Sequence, residues 1–325
     1  MKECIKTDNT LVTIVMALYN PNIKWLVEQL TSLNCQDYPN LELIAIDDCS
    51  PNADFMGISE IFAKNITNFS YKLLQNKTNL GSTKTFEKLT NMVQFGYISY
   101  CDQDDIWEKD KVSQSVKTLE NTGATLVCGD ARIIDADGKI TAESVNDVFK
   151  RNVFLSGQHL FEKLIFRNFV IGCTILMPIN IAKSAIPFIS NGMVHDHWLA
   201  IFASIQGKIS VCDEQIMRYR IHGSNQTGVL AGISTKIDYF NKRIEPFLCR
   251  INEISGRVDS FEELEKAKIW AEARVHYFKG KFKNIVTLWK LRNLDKKVTY
   301  FEILLKFMPN FIFKKVIKSL QTGKI

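Results

Sequence analysis

The sequence predicts an α/β protein built on a mainly parallel sheet, followed by a helical C-terminal extension. Three observations carry that prediction. Over the first 130 residues, short β-branched runs alternate with stretches of helical periodicity, the pattern of βαβ units. The first of these runs is apolar almost throughout, as a strand covered on both faces should be. From about residue 235 onward the pattern turns helical, with basic and aromatic residues interleaved.

In chain order, Leu11–Ala17 reads as the first strand, and residues 24–34 place Trp25, Leu26, Leu30 and Leu33 on one helical face. Leu41–Ile46 and Tyr71–Leu74 follow as strands, 82–93 as a helix, Tyr97–Tyr100 as a fourth strand, 109–120 as a helix and Ala124–Cys128 as a fifth strand. Residues 131–230 break the alternation. They offer a turn at Asp137-Gly138, an amphipathic stretch Gln158–Phe166, an apolar strand Thr174–Met177, a helix around His195–Ser204 and a strand near Ile216–Ile221. Such mixed structure is expected to close one side of a cleft. We therefore divide the chain into a main domain, 1–234, and a helical basic extension, 235–325.

A chain of 325 residues with 46% hydrophobic and 23% charged side chains is long enough for one large core. No apolar run approaches the roughly 18 to 20 residues that cross a bilayer, and the opening MKECIKTDNT has no signal-like apolar segment, so a cytoplasmic location is expected. Eight cysteines, at 4, 35, 49, 101, 128, 173, 212 and 249, show no metal-type spacing and read as reduced, mostly buried thiols. The net charge of +6 is unevenly placed. Residues 279–325 hold twelve Lys or Arg against Asp295 and Glu302, whereas the rest of the chain has slightly more acid than base. No nucleic-acid partner is expected.

The stretch Tyr100–Trp107, YCDQDDIW, sets three carboxylates within four positions directly after an apolar run. Repulsion between neighbouring carboxylates requires either free solvation or a cation that gathers the charge. Open parallel sheets bind ligands at the carboxyl ends of their strands, and three such ends here are polar: Leu18–Pro21, Asp47–Ser50 and 101–105. With no G-x-G-x-x-G and no phosphate-binding P-loop signature, a phosphate bound at these ends would need a metal. Hard oxygen ligands from Asp102 and Asp104, with Asp48 nearby, suit Mn2+ or Mg2+.

Four separated motifs then resemble glycosyltransferase family 2, the inverting nucleotide-sugar transferases of GT-A fold. They are VTIVMALYN, LIAIDDCSPN, NLGSTKTFE with ISYCDQDDIWEKDK, and HDHWLA followed by YRIHGSN, spanning about residues 10–228. The long form of these motifs is similar to the bacterial surface-polysaccharide branch labelled rhamnosyl- or galactosyltransferase. The resemblance implies that Asp48 accepts a hydrogen bond from the nucleotide base, with Leu18 and Tyr19 lining the base pocket and Gly81 letting the backbone approach. It implies that Asp102 and Asp104 bracket ribose and metal, Asp104 ligating the ion directly, and that His222 is a second metal or phosphate contact with Arg220 beside the diphosphate. Asp196 is the implied general base, flanked by His195 and His197 on the acceptor side, while Asp105 and Trp107 shape the loop and the acceptor side, packing being the alternative for Trp107.

The implied reaction moves a sugar from a UDP- or dTDP-sugar to a hydroxyl of a growing, lipid-linked or surface glycan. Two alternatives stay open: a sugar-1-phosphate nucleotidyltransferase, which LVTIVMALYNPN does not favour for want of a Gly-rich basic signature, and an inactive sugar-nucleotide-binding module. The C-terminal helices, with large apolar residues and lysines around Pro309, are expected either to pack on protein, including a second subunit in an oligomer, or to lie on an anionic membrane through 296–325. The second expectation places the protein peripherally on the inner face of the cell membrane.

Overall fold

The computed structural model describes residues 10–149, 153–190, 192–222, 232–259 and 261–321. Cys4, the N-terminal opening, and Gly223–Asn225 of the YRIHGSN motif lie outside the described residues. The chain divides into two compact units: residues up to Ser190 with Val194–His222, and residues from 223 onward with the 191–193 stretch.

The first unit is built on one sheet. Its strands are β1 (Val12–Leu18), β2 (Leu41–Asp47), β3 (Ser70–Gln75), β4 (Tyr97–Cys101), β5 (Ile106–Trp107), β6 (Leu126–Ile134), β7 (Ile140–Ala142), β8 (Leu176–Pro178) and β9 (Ile209–Arg220). Their order across the sheet is β3-β2-β1-β4-β8-β6-β9-β5, with β7 hairpinned onto β6. The four strands β3, β2, β1 and β4 are mutually parallel. Polarity then mixes, because β8 runs antiparallel to both β4 and β6 while β9 runs parallel to β6. The expected mainly parallel α/β sheet is thus present, with an irregular second half.

Helices cover the sheet: α1 (Ile23–Asn34), α2 (Phe55–Asn65), α3 (Ser82–Met92), α4 (Lys111–Thr122), short α5 (Val145–Val148), α6 (Phe161–Leu164) and α7 (Ile179–Ser184), and α8 (His195–Gln206). The Asn22 side chain caps α1 by accepting from Trp25 N, and Leu26, Leu30 and Leu33 of that helix join Ile14, Met16 and Leu43 in the core. The sequence predicts no element over 51–69, yet α2 lies there, capped by Asp54. β9 begins at Ile209 rather than near Ile216. A 3-10 turn at Gly172–Thr174 replaces the start of the strand expected at Thr174.

Register positions the site. Leu18 pairs with Asp47 and Asp47 with Gln75, so β1, β2 and β3 end level, while β4 ends at Cys101 opposite Met16, two residues before the end of β1. The polar residues that follow them, Tyr19, Asp48 and Asp102, therefore emerge along one edge, as the strand-end rule requires. All seven described cysteines are free thiols, four of them buried.

The second unit is helical, with α9 (Lys236–Tyr239) running through a π turn at Phe240–Ile244 into α10 (Glu245–Ser255), then α11 (Glu262–Phe278), α12 (Ile285–Lys290), α13 (Lys296–Leu305) and α14 (Asn310–Gln321). Tyr239, Phe240, Ile244, Val275, Leu305, Phe313 and Ile317 form its core.

Candidate active site

The loop after β2 is organised by two adjacent buried carboxylates with separate partners. Asp47 Oδ1 accepts from Ser50 Oγ at 2.5 Å and its Oδ2 from Gln75 Nε2 at 3.0 Å. Ser50 Oγ in turn accepts from Asn20 N at 2.8 Å, tying the end of β2 to the end of β1. Asp48 Oδ1 accepts from Asn76 Nδ2 at 2.7 Å and Leu80 N at 2.9 Å, and Oδ2 accepts from Gly81 N at 2.8 Å. A carboxylate offers about four acceptor positions, so one place on Oδ2 stays open. Gly81 has φ +80° and ψ 158°, a backbone region that only glycine visits without strain, and a Cβ there would meet nothing within 4 Å. Conformation rather than packing thus demands glycine, beside open space.

The acidic loop after β4 is pinned at both ends. Gln103 clamps the backbone of Tyr19, accepting from its N–H at 2.8 Å and donating to its carbonyl at 3.1 Å. Asp105 is fully buried, and its Oδ1 accepts from the Arg220 N–H at 2.9 Å. Its Oδ2 has no hydrogen-bond partner of normal geometry, and its carboxylate, the Asp102 carboxylate and the Cys173 thiol lie within 4.8 Å of one another. Burial, then the charges of Asp104 and Asp102, raise the Asp105 carboxyl well above the usual range. Asp102 is pushed up to about 7 by burial and by the charges of Asp104 and Asp196. Beneath the loop, Lys111 is buried over the Trp107 ring, its ammonium 3.3 Å from the ring centroid, and burial lowers it to about 8. Trp107 is itself buried, a packing position rather than a surface of the cleft.

On the open side, Asp104 Oδ2 lies 2.8 Å from His222 Nε2, and both side chains keep some exposure. His222 packs at 4.7 Å against the Trp25 ring, whose Nε1 donates to Ala136 O. Arg220 departs from the sequence expectation. Its guanidinium is fully buried, pairing with Glu28 at 2.5 Å and donating to the carbonyls of Asp104, Asp135 and Ala136 at 2.7, 3.0 and 3.3 Å. A fork whose donors are already spent inside the protein holds the acidic loop and does not reach a diphosphate, so the expected nucleotide contact of Arg220 is corrected to a positioning role.

Asp196 stands in the first turn of α8, where a carboxylate is favoured by the helix dipole and accepts from His197 N at 2.5 Å. Burial nevertheless raises it to about 6, against hydrogen bonds from His197, Gly172 and Asn168 that lower it. Gly172 lets the two segments meet, since a Cβ there would stand 3.1 Å from Asp196 Cβ and 3.3 Å from His195 Nε2. His195 stacks on Phe86 at 4.1 Å with both ring nitrogens unpartnered, and burial drives it down to about 3, so it is neutral. His197 turns away to the Leu164 carbonyl at 2.5 Å and serves the fold.

The structure thus brings Leu18, Tyr19, Asp48, Gly81, Asp102, Asp104 and His222 to the strand ends, with Asp196 close enough that its charge acts on Asp102. The sequence reading overlooked Gln103, Asn76, Glu28 and Gly172. Gln103 carried a signal, being the one uncharged member of an acidic run; the other three act across the fold and carry none.

Residues 13–180, just over half of the chain, match the glycosyl transferase family 2 profile, and the chain belongs to that family. It is 27% identical over 240 residues to the dTDP-rhamnosyl transferase RfbG of Shigella flexneri, covering 69% of this chain and 76% of that protein. An uncharacterized glycosyltransferase of Rickettsia conorii is 24% identical over 293 residues, 85% of this chain, and the chain spans only 45% of that relative's length. Among solved structures, S. aureus TarS 1-349 in complex with UDP-GlcNAc superposes with a TM-score of 0.59 at 16% identity, covering 96% of this chain and 92% of that one. The mannosyltransferase PcManGT from Pyrobaculum calidifontis, in complex with GDP-Man and Mn2+, gives 0.57 at 14% identity, covering 96% and 85%. At such identities the likeness is one of fold, and the fold is GT-A.

Proposed function

We propose that this family 2 glycosyltransferase is an inverting, divalent-metal-dependent enzyme that moves a hexosyl or deoxyhexosyl unit from a UDP- or dTDP-sugar to a hydroxyl of a growing surface glycan. The observation that carries this reading is the meeting of Asp102 and Asp104, just beyond β4, with an Asp196 of raised basicity at the start of α8, close enough that its charge acts on Asp102. The name of RfbG supports a dTDP-sugar, and the UDP-GlcNAc bound to TarS supports a nucleotide-sugar donor in general.

The donor set fits a hard divalent ion. Asp102, raised to about 7 by burial and then by the charges of Asp104 and Asp196, is the kind of group a cation would return to its ionised form. Asp104 and Asp102, with His222, would hold Mn2+ or Mg2+, because they keep access to the cleft, and such ions bind through a few carboxylates plus substrate phosphates. The grouping of Asp102 and Asp105 with the Cys173 thiol suits it less, since Asp105 and Cys173 are buried and a thiol is a soft ligand. When bound, the ion would offset charge on the departing diphosphate.

In this reading Leu18 and Tyr19 line the base pocket, the open place on Asp48 Oδ2 receives the base, and the space beside Gly81 admits the nucleotide. Asp196 takes the proton of the acceptor hydroxyl as that oxygen forms its bond to the anomeric carbon, while the bond from that carbon to the diphosphate breaks on the opposite face. A base held at about 6 is ionised at neutral pH yet more basic than an ordinary aspartate, which favours proton transfer. One carboxylate suffices, which supports inversion. Arg220, Gln103 and Asp105 keep the metal-side loop in place. Neutral His195 packs behind Asp196.

For the second unit, the proposal is peripheral contact with an anionic membrane through 296–325. Leu305, Phe313 and Ile317 are consumed by the unit's own core, but Leu304, Phe307 and Phe311 stand 61%, 69% and 64% exposed among Lys306, Lys314 and Lys315. No described helix is long and apolar enough to cross a membrane.

A donor screen by nucleotide release, using UDP- and dTDP-sugars with Mn2+ or Mg2+ and a lipid-linked glycan acceptor, tests the reaction. Acceptor-dependent release from at least one of these donors is expected; no such release, with pyrophosphate released instead when a nucleoside triphosphate and a sugar 1-phosphate are supplied in their place, would favour the nucleotidyltransferase alternative.

A further inference from the structure

The second unit contains a cavity of about 500 Å³, within the range of sites that hold small ligands. Its floor is apolar, made by Ile244, Leu305 and Phe313, all buried in the unit's core. Its deep polar corner is the Arg274–Glu302 pair, bidentate at 2.8 and 2.5 Å, and Glu302 also accepts from Tyr239 Oη at 3.0 Å. That pair satisfies itself and leaves no net charge.

The remaining charge is positive. Lys236, Lys306 and Lys314 all line the cavity, and Glu302 is the sole acid among its lining residues. The Lys236 and Lys314 side chains make no hydrogen bond or ion pair with any described residue. Lys306 donates to the carbonyls of Phe278 and Tyr277 at 3.2 and 3.5 Å, so its ammonium meets no carboxylate. Asp238, an acid of the same short helix as Lys236, is engaged by the N–H groups of Ser234 and Thr235 and the Ser234 hydroxyl, which hold it at about 2. At the mouth, Ile237 is exposed, and Phe307 and Phe311 are exposed on the segments that flank Lys306 and Lys314.

An apolar pocket ringed by three unopposed lysines matches one chemistry: a phosphate on an alkyl or isoprenoid chain, the anionic head held by the ammonium groups and the chain against the floor. We propose that this cavity binds the phosphate end of a single-chain lipid phosphate. It deepens the membrane-contact reading above by naming what the second unit recognises, and the two can fail separately, since a soluble alkyl phosphate tests the cavity without a bilayer and without donor.

The experiment is calorimetric titration of the full-length chain with decyl phosphate below its micelle concentration, beside decanol and inorganic phosphate. Decyl phosphate should bind at least about tenfold more tightly than either control, and the Lys236→Ala/Lys314→Ala variant should lose about tenfold while the melting temperature and donor turnover stay unchanged. The doubly conservative Lys236→Arg/Lys314→Arg variant should retain binding, which guards against loss through misfolding. Neutral phosphatidylcholine vesicles doped with polyprenyl phosphate or with phosphatidylglycerol then separate the sources. Lysine-dependent preference for the former is expected, and equal lysine-dependent binding to phosphatidylglycerol, a two-chain lipid, would overturn the single-chain assignment. If decyl phosphate bound no better than decanol or phosphate, or the double alanine variant bound as wild type, the assignment would be overturned.

Discussion

Arg220 in the first unit and Arg274 in the second are both buried and both face a glutamate, yet they do different work. Arg220 donates to Glu28 of α1 and to the carbonyls of Asp104, Asp135 and Ala136, and its own N–H goes to Asp105, so it ties the acidic loop to α1 and to the turn between β6 and β7. Arg274 closes on Glu302 with two bonds and joins α11 to α13, leaving a neutral corner under a cationic cavity. The same pair of side chains, set between a strand end and a helix, fixes a loop; set between two helices, it fixes a scaffold. In the first unit, therefore, the structure concentrates unrelieved negative charge, and in the second unrelieved positive charge.

The comparison is broken most severely by removing the charge itself. Asp104→Ala should abolish transfer, by at least about 10³-fold, and weaken metal-dependent nucleotide binding, while the circular dichroism melting curve stays that of wild type because Asp104 sits on the open side of its loop. Asp196→Asn should lower kcat by about 10² to 10⁴-fold with donor affinity little changed, measured by steady-state kinetics and nucleotide titration.

Asp196 also links activity to pH and to stability. Its folded value of about 6 means that the base is lost as pH falls, so kcat/KM should drop below about pH 6 and level off above about pH 7. The sign for stability is opposite. Because the folded carboxyl is raised above its ordinary value, ionising it costs stability as pH climbs from about 4 to about 6, and Asn removes that cost. Asp196→Asn should thus be as stable as wild type or more stable, by on the order of 1–3 kcal/mol at pH 7.5 in denaturant titration.

Arg220→Met should unfold more easily by about 3–5 kcal/mol, since Glu28 and the loop carbonyls lose their donor, and Arg220→Lys should keep the fold better yet lower kcat because one ammonium cannot serve all those acceptors. The smallest effect belongs to the exposed face of the second unit. Leu304→Glu/Phe307→Glu/Phe311→Glu should release the chain from anionic vesicles at low salt with little change in melting temperature or in transfer to a soluble acceptor. Unchanged sedimentation of that variant with vesicles would leave packing on protein as the account of this face. Truncation at 295 is a poorer test, because Leu305, Phe313 and Ile317 belong to the unit's core.

Most of the first 130 residues is legible in the sequence because apolar periodicity there coincides with burial: β1 is buried along both faces and α1 along one. The strand-end rule then points to Asp48, Asp102 and Asp104 without further knowledge. What the sequence does not reveal is the support. The two-residue strand β5 is too short to have a period, and it exists because Ile106 and Trp107 pair with Arg218 and Met217 more than 100 residues away. Arg220 reads as a phosphate ligand because Arg beside His usually faces solvent, and only its tertiary partner Glu28, 192 positions distant, reveals the inward turn. The close approach of Gly172 to Asp196 leaves no trace in either local pattern.

The central claim is that the strand-end carboxylates act through a divalent ion on a nucleotide sugar. Nucleoside diphosphate release from the preferred donor, followed for the wild-type chain in Mn2+, in EDTA and after Mn2+ is added back, tests it most directly. The account predicts turnover that vanishes in EDTA and returns with the ion; full turnover in EDTA would contradict it.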